Sequence, residues 1–116
     1  MKKEEGNTMQ IGFRIQDIDA MEALKSYVER RLRFAMGRFG NRVGQVTVRL
    51  SRNGGENECR ISAELQPFGR VAVGESDPDL FTAIDRAAGR LGRLFGRELH
   101  RMRDARMGHE SIRMAA

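Results

Sequence analysis

Tryptophan is absent from this 116-residue chain, proline occurs twice and cysteine once. A lone cysteine excludes an internal disulfide, and none is needed, because a domain of this length buries roughly two thirds of its unfolded surface. Cys59 alternates with Ile61, Ala63 and Leu65, which places it in the core as a small apolar residue rather than as a nucleophile. That use fits a reducing compartment. Long apolar runs are missing as well. Nothing approaches the ~20 apolar residues of a membrane helix. The start, Met-Lys-Lys-Glu-Glu-Gly-Asn-Thr, carries acids where a secretory signal has only bases. A soluble, cytoplasmic protein is expected.

Catalytic equipment is equally sparse. The two histidines, His100 and His109, have no Cys, Asp or Ser spaced to work with them, so both read as surface residues and no enzyme is expected. No metal-ligand spacing occurs and no cofactor is implied. Asp77, Asp79 and Asp85 cluster where a helix begins, where capping and the helix dipole account for them.

Positive charge is what the chain has in excess. Its net charge is +5, and all of its 21 basic residues except Lys2, Lys3 and Lys25 are arginine. Arg86, Arg90, Arg93, Arg97 and Arg101 recur at steps of four, three, four and four, which puts them within about 80° of one helix face. Surface charge on a helix is ordinarily matched by opposite charge one turn away. Here the acids in the same stretch, Asp85 and Glu98, are out of line with the stripe, so the ribbon is expected to lack partners. A guanidinium matches phosphate oxygens two at a time. The ribbon therefore points to a polyanion, against the alternative of a merely solvated face.

The pattern along the chain fixes the architecture. Met9, Ile11, Phe13 and Ile15 alternate with polar residues as in a strand, and Met21, Leu24, Val28, Leu32, Ala35 and Phe39 follow at helical spacing. Asp19 and Glu22 resemble a capping box and Gly40 a left-handed stop, so this helix is expected over 20–39. Three short strands follow, around Val46–Leu50, Cys59–Leu65 and Val71–Val73, joined by Asn53-Gly54-Gly55 and by the Pro67 to Gly69 segment as consecutive hairpins. A second helix is expected to open at Pro78 with Asp77 as cap and to bury Leu80, Ile84, Ala87, Leu91, Phe95, Leu99 and Met102. The fold class is α+β, ordered β-α-β-β-β-α, with two helices on one face of a four-stranded sheet. One domain should span 9–106, with 1–8 and 107–116 as flexible termini.

The sheet's other face carries Arg14, Thr47, Arg49, Arg60, Ser62, Glu64 and Arg70 and no aromatic. Binders that stack bases on an open sheet need aromatics there, so the helices are the expected binding surface. A simple double-stranded RNA binder shares part of the element order, but no glycine-bracketed lysine cluster opens a helix here.

Asp79-Leu80-Phe81-Thr82-Ala83-Ile84-Asp85 resembles the signature that opens the second helix of the ribosome hibernation factors: Asp, Leu or Met, Tyr or Phe, any residue, Ala, Ile or Leu, Asp. Ala23-Leu24-Lys25, then Tyr27-Val28 after one residue, resembles that family's first-helix pattern. The family's basic positions fall at Arg90, Arg93, Arg97 and Arg101. The resemblance implies a hibernation promoting factor or ribosome-associated inhibitor, a stress-response protein that occupies the messenger and transfer RNA sites of the small subunit. It also implies a short form, ending near the end of the first domain. The expected rRNA-binding set is Arg86, Arg90, Arg93, Arg97, Arg101, Arg30, Arg31, Phe34 and Arg38.

Two features depart from the family pattern or from ordinary helix design. Phe34 occupies a position usually basic, between Arg30 and Arg38 on the outward face; it reads either as a base-stacking residue or as a partly covered rim aromatic. Gly89, Gly92 and Gly96 each cost a helix about 0.8–1 kcal/mol relative to alanine; close packing on the first helix is the preferred account, close approach of RNA the other. A rival from a different class remains, a regulator docking the same basic face on an acidic protein.

Overall fold

A computed structural model describes residues 9–16, 18–19 and 22–115, with side chains described through Arg103. The elements are β1 (Gln10–Gln16), α1 (Glu22–Met36), a 3-10 segment (Gly37–Arg42), β2 (Val43–Asn53), β3 (Glu56–Leu65), β4 (Gly69–Asp77) and α2 (Leu80–Ala115). Their order is the expected β-α-β-β-β-α, and both helices lie on one face of a single four-stranded sheet.

The strands stand in chain order across the sheet. β1 runs parallel to β2, with α1 as the crossover, and the β2–β3 and β3–β4 pairs are antiparallel. The three later strands are longer than their apolar cores suggested, because polar residues at their ends stay in the ladder. Gly54 and Gly55 form a two-residue loop that pairs Asn53 with Glu56, and Gly54 has φ 69°, a conformation that glycine enters without strain. Val46, Val48, Leu50, Cys59, Ile61, Ala63 and Leu65 point from the sheet into the core, where Leu24, Val28, Leu32 and Met36 of α1 and Ile84, Ala87, Leu91 and Phe95 of α2 cover them.

Helix ends differ from the sequence expectation in physically simple ways. α1 stops at Met36 rather than Phe39, and the chain tightens into the 3-10 segment containing Gly40 at φ 59°; the expected start at Ala20 lies outside the described residues. α2 opens two residues later than predicted. Asp79, not Asp77, is the cap: its Oδ2 accepts from Thr82 N–H at 3.1 Å and from the Thr82 hydroxyl at 2.6 Å. Asp77 Oδ2 instead accepts from Asp79 N–H at 2.8 Å and orders the cap. At the other end the helical backbone continues past Arg106 to Ala115. Residues 1–8 lie outside the described residues. Among the described residues no helix is long and apolar enough to cross a membrane.

Candidate nucleic-acid interface

α2 rests on the sheet through Ala83, Ile84, Ala87, Leu91 and Phe95, all fully buried. Its neighbouring flank meets α1 at Gly92, where an added β-carbon would lie 2.9 Å from the Ala35 carbonyl oxygen, and the 3-10 segment at Gly96, where it would lie 3.2 Å from Arg38 Nη2. What remains faces water. Arg86, Arg90, Arg93, Arg97 and Arg101 are all exposed on that remaining face, as their periodicity required.

The expectation that the ribbon lacks partners is corrected at three of its five positions. Arg86 Nη1 lies 3.4 Å from Asp77 Oδ1, and Arg90 Nη1 donates to Glu75 Oε2 at 3.0 Å and to the Gly74 carbonyl at 3.4 Å. Those acids come from β4, brought under the helix by the fold and invisible to a search along the helix itself. Arg101 Nη1 is 3.6 Å from Glu98 Oε2, one turn back. All three are surface pairs of the kind worth at most about 1 kcal/mol. Arg93 and Arg97 have no acid within ion-pair distance among the described residues, so uncompensated charge concentrates at the middle of the helix.

α1 and the 3-10 segment that follows it contribute further basic residues. Arg30 and Arg38 are exposed, and Phe34, at 81% exposure, projects almost wholly into solvent. The rim-aromatic reading of Phe34 therefore fails. The Arg31 guanidinium lies 5.7 Å from the Phe34 ring centroid. Arg31 itself is turned inward: its Nε lies 3.0 Å from Asp85 Oδ1, in an ion pair whose geometry falls short of a hydrogen bond. Asp85 also accepts from the Tyr27 hydroxyl at 2.6 Å, so one carboxylate ties α1 to α2 twice. That bond raises the Tyr27 pKa above its usual 10.0, since it favours the protonated phenol; partial burial and the carboxylate's charge add to it, while Arg31 and Arg30 oppose it.

The fold and the family resemblance now have an independent counterpart. Residues 11–103 match the model of the sigma 54 modulation protein / S30EA ribosomal protein family. The chain belongs to that family. It is the ribosome hibernation factor family that the helix motifs resemble. The N-terminal domain of Protein Y from Thermus thermophilus superposes with TM-score 0.68 at 34% identity, over 77% of this chain and 98% of that one. A ribosomal subunit interface protein from Coxiella burnetii superposes with TM-score 0.67 over 78% of this chain and 97% of that one, at 15% identity, and shares the fold. No curated protein matches the chain.

In this family member the expected site residues thus divide by circumstance. Arg93, Arg97, Arg30 and Arg38 are exposed with no ion pair among the described residues, and Phe34 is exposed beside them in sequence; Arg86, Arg90 and Arg101 are exposed but tethered; Arg31 is half-buried against Asp85. Glu75 and Asp77 are the residues that sequence reasoning missed as part of this surface. The glycine line divides too: Gly92 and Gly96 serve helix packing, whereas a β-carbon at Gly89 would meet only the tip of Arg93, at 3.5 Å. Burial pushes the Cys59 thiol up to about 12, leaving it protonated and inert, and among the described residues no group of His, Cys, Asp and Glu is placed to hold a metal.

Proposed function

We propose that this protein is a hibernation factor that inhibits translation by binding small-subunit rRNA at the messenger and transfer RNA sites through its helical face. The carrying observation is the Arg93–Arg97 pair on the outward face of α2, without an acid partner among the described residues and with Arg38 close by at Gly96, in a member of the S30EA family. Arginines placed this way grip phosphates, and phosphate contacts supply hold without sequence preference. Specificity then comes from shape, with the rigid two-helix surface fitted to folded RNA. Inhibition needs no reaction. A domain of this size seated in the decoding channel excludes tRNA and mRNA by volume, and a factor acting on ribosomes works in the cytoplasm.

Salt dependence follows from the geometry. Five phosphates neutralised would give a slope of log affinity against log salt of about −3.5 to −4.5. Because Arg86 and Arg90 already face Asp77 and Glu75, the share from this helix falls toward about −2 to −3.

Sedimentation with ribosomes through a sucrose gradient at low salt tests the reading. Wild type should travel with the small subunit or the whole ribosome, Arg93→Glu/Arg97→Glu should stay at the top, and Arg86→Gln/Arg90→Gln should keep most of its binding. Wild type at the top of the gradient would refute the proposal. Retention on a partner after rRNA is digested with nuclease would assign the same face to an acidic protein instead.

A further inference from the structure

Arg14, Arg49 and Arg60 stand in one row across the open face of the sheet. Arg14 is the register partner of Arg49 in the parallel β1–β2 ladder, and Arg49 is the partner of Arg60 in the antiparallel β2–β3 ladder. The row ends on β4 at Gly74, over which Arg60 lies: a β-carbon there would meet Arg60 Cγ at 3.5 Å and Nε at 3.8 Å. Adjacent strands are about 4.8 Å apart, and like charges directly opposite one another destabilise a sheet. Three consecutive arginines thus work against the fold.

Compensation on this face reaches Arg60 and Arg70 but not the other two members of the row: Arg70 Nη2 lies 3.5 Å from Glu64 Oε2, and its Nη1 donates to Ser62 Oγ at 3.5 Å. Arg60 Nε lies 3.2 Å from Glu58 Oε2. Arg14 and Arg49 are exposed, and among the described residues no acid lies within ion-pair distance of either. The adjacent row reads Gly12, Thr47, Ser62, Ala72, so two hydroxyls sit between small residues beside the arginines. Arg14, Thr47, Arg49, Arg60, Ser62 and Ala72 line a shallow concavity of about 430 Å³.

We propose that this open sheet face is a second phosphate-binding surface, occupied by an RNA backbone. Arg14, Arg49 and Arg60 neutralise phosphates, and Thr47 and Ser62 donate their hydroxyls to phosphate oxygens. Charge complementarity selects the occupant. The strands present no aromatic on this side, so contact is with the backbone rather than with stacked bases. The sheet separates this surface from the Arg93–Arg97 face, so the domain has basic surfaces on opposite sides. It is therefore gripped within a cleft of folded RNA rather than laid against one wall. The choice of RNA as partner rests on the function proposed above; the row of arginines does not.

The test compares the full chain with Arg14→Gln/Arg49→Gln/Arg60→Gln, with the corresponding triple lysine variant, and with Arg93→Gln/Arg97→Gln. Each is titrated, over a range of salt, against isolated small ribosomal subunits and against a fluorescent oligouridylate. Removing mutually repelling charges should leave the glutamine variant folded, with a melting temperature at or above that of wild type. On both probes its salt slope should shrink by about 0.7 per arginine, about 1.5 to 2 units in all because Arg60 already faces Glu58. The lysine variant should keep the slope, and the loss in Arg93→Gln/Arg97→Gln should add to that of the triple variant. An unchanged slope and affinity in a folded glutamine variant overturns the proposal while leaving ribosome binding standing. Subunit binding absent with oligouridylate binding and its slope change intact refutes the proposed function and upholds the sheet face. Wild type that binds neither probe overturns both, and subunit binding that survives nuclease while depending on this row assigns the face to an acidic protein and overturns it too.

Discussion

Gly92 of α2 packs so closely on Ala35 of α1 that a β-carbon at position 92 would lie 2.9 Å from the Ala35 carbonyl oxygen. A backbone oxygen cannot swing aside as a side-chain tip can. Replacing a helical glycine by alanine ordinarily gains about 0.8–1 kcal/mol, but overpacking costs about 1–3 kcal/mol. Gly92→Ala should therefore destabilise the protein. At Gly89 the nearest atom is Arg93 Nη1 at 3.5 Å, an ordinary contact with a mobile group, so Gly89→Ala should stabilise by most of the propensity gain. Urea denaturation of the two variants should move the midpoints in opposite directions. A shift of the same sign in both would show that helix propensity, not the contact with Ala35, governs this line.

Element order, sheet faces and the outward face of α2 were legible because each rests on local periodicity: alternation in β1 to β4 and helical spacing through Leu91 and Phe95. The counter-charges of the ribbon were not legible. Glu75 and Asp77 reach Arg90 and Arg86 only because α2 lies over β4, a packing choice with no signature in either segment. The cap shows a similar limit: Asp77 and Asp79 are equally good capping residues, and the fold decides between them through the turn after β4. On the open face, the two-residue Gly54–Gly55 loop is enough to set Arg49 opposite Arg60, but Arg14 enters their row through the β1–β2 register. That register depends on how α1 crosses over the sheet.

Tyr27 is the single tyrosine in a chain without tryptophan, so its ionisation can be followed cleanly by phenolate absorbance. The hydrogen bond to Asp85 holds its proton more tightly in the folded protein than in the unfolded chain, where the pKa is near 10.0. The resulting stability is fully present below pH 10 and is lost as pH rises through the raised folded-state value. The native protein should titrate above the usual tyrosine value, and Asp85→Ala should bring the titration back down. Tyr27→Phe should cost about 0.5–1.5 kcal/mol at neutral pH and abolish the signal. Identical titration curves for wild type and Asp85→Ala would mean that the bond does not persist in solution.

Phe34 separates binding from folding more sharply than any arginine on the surface. At 81% exposure, with the Arg31 guanidinium 5.7 Å from its ring centroid, it contributes little to the core. Phe34→Ala should thus change stability by no more than about 0.5–1 kcal/mol, the value of an exposed cation–π contact. If the ring stacks on an unpaired rRNA base, the same change should cost about 1–3 kcal/mol of ribosome affinity, roughly a 5- to 150-fold rise in Kd. Phe34→Leu distinguishes stacking from apolar burial, since it keeps a large apolar side chain but loses the π face. Stacking requires leucine to bind nearly as poorly as alanine, and Phe34→Trp to bind at least as well as wild type. Leucine binding like phenylalanine would instead place the side chain in an apolar recess of the partner, and equal affinity in all four proteins would remove Phe34 from the interface.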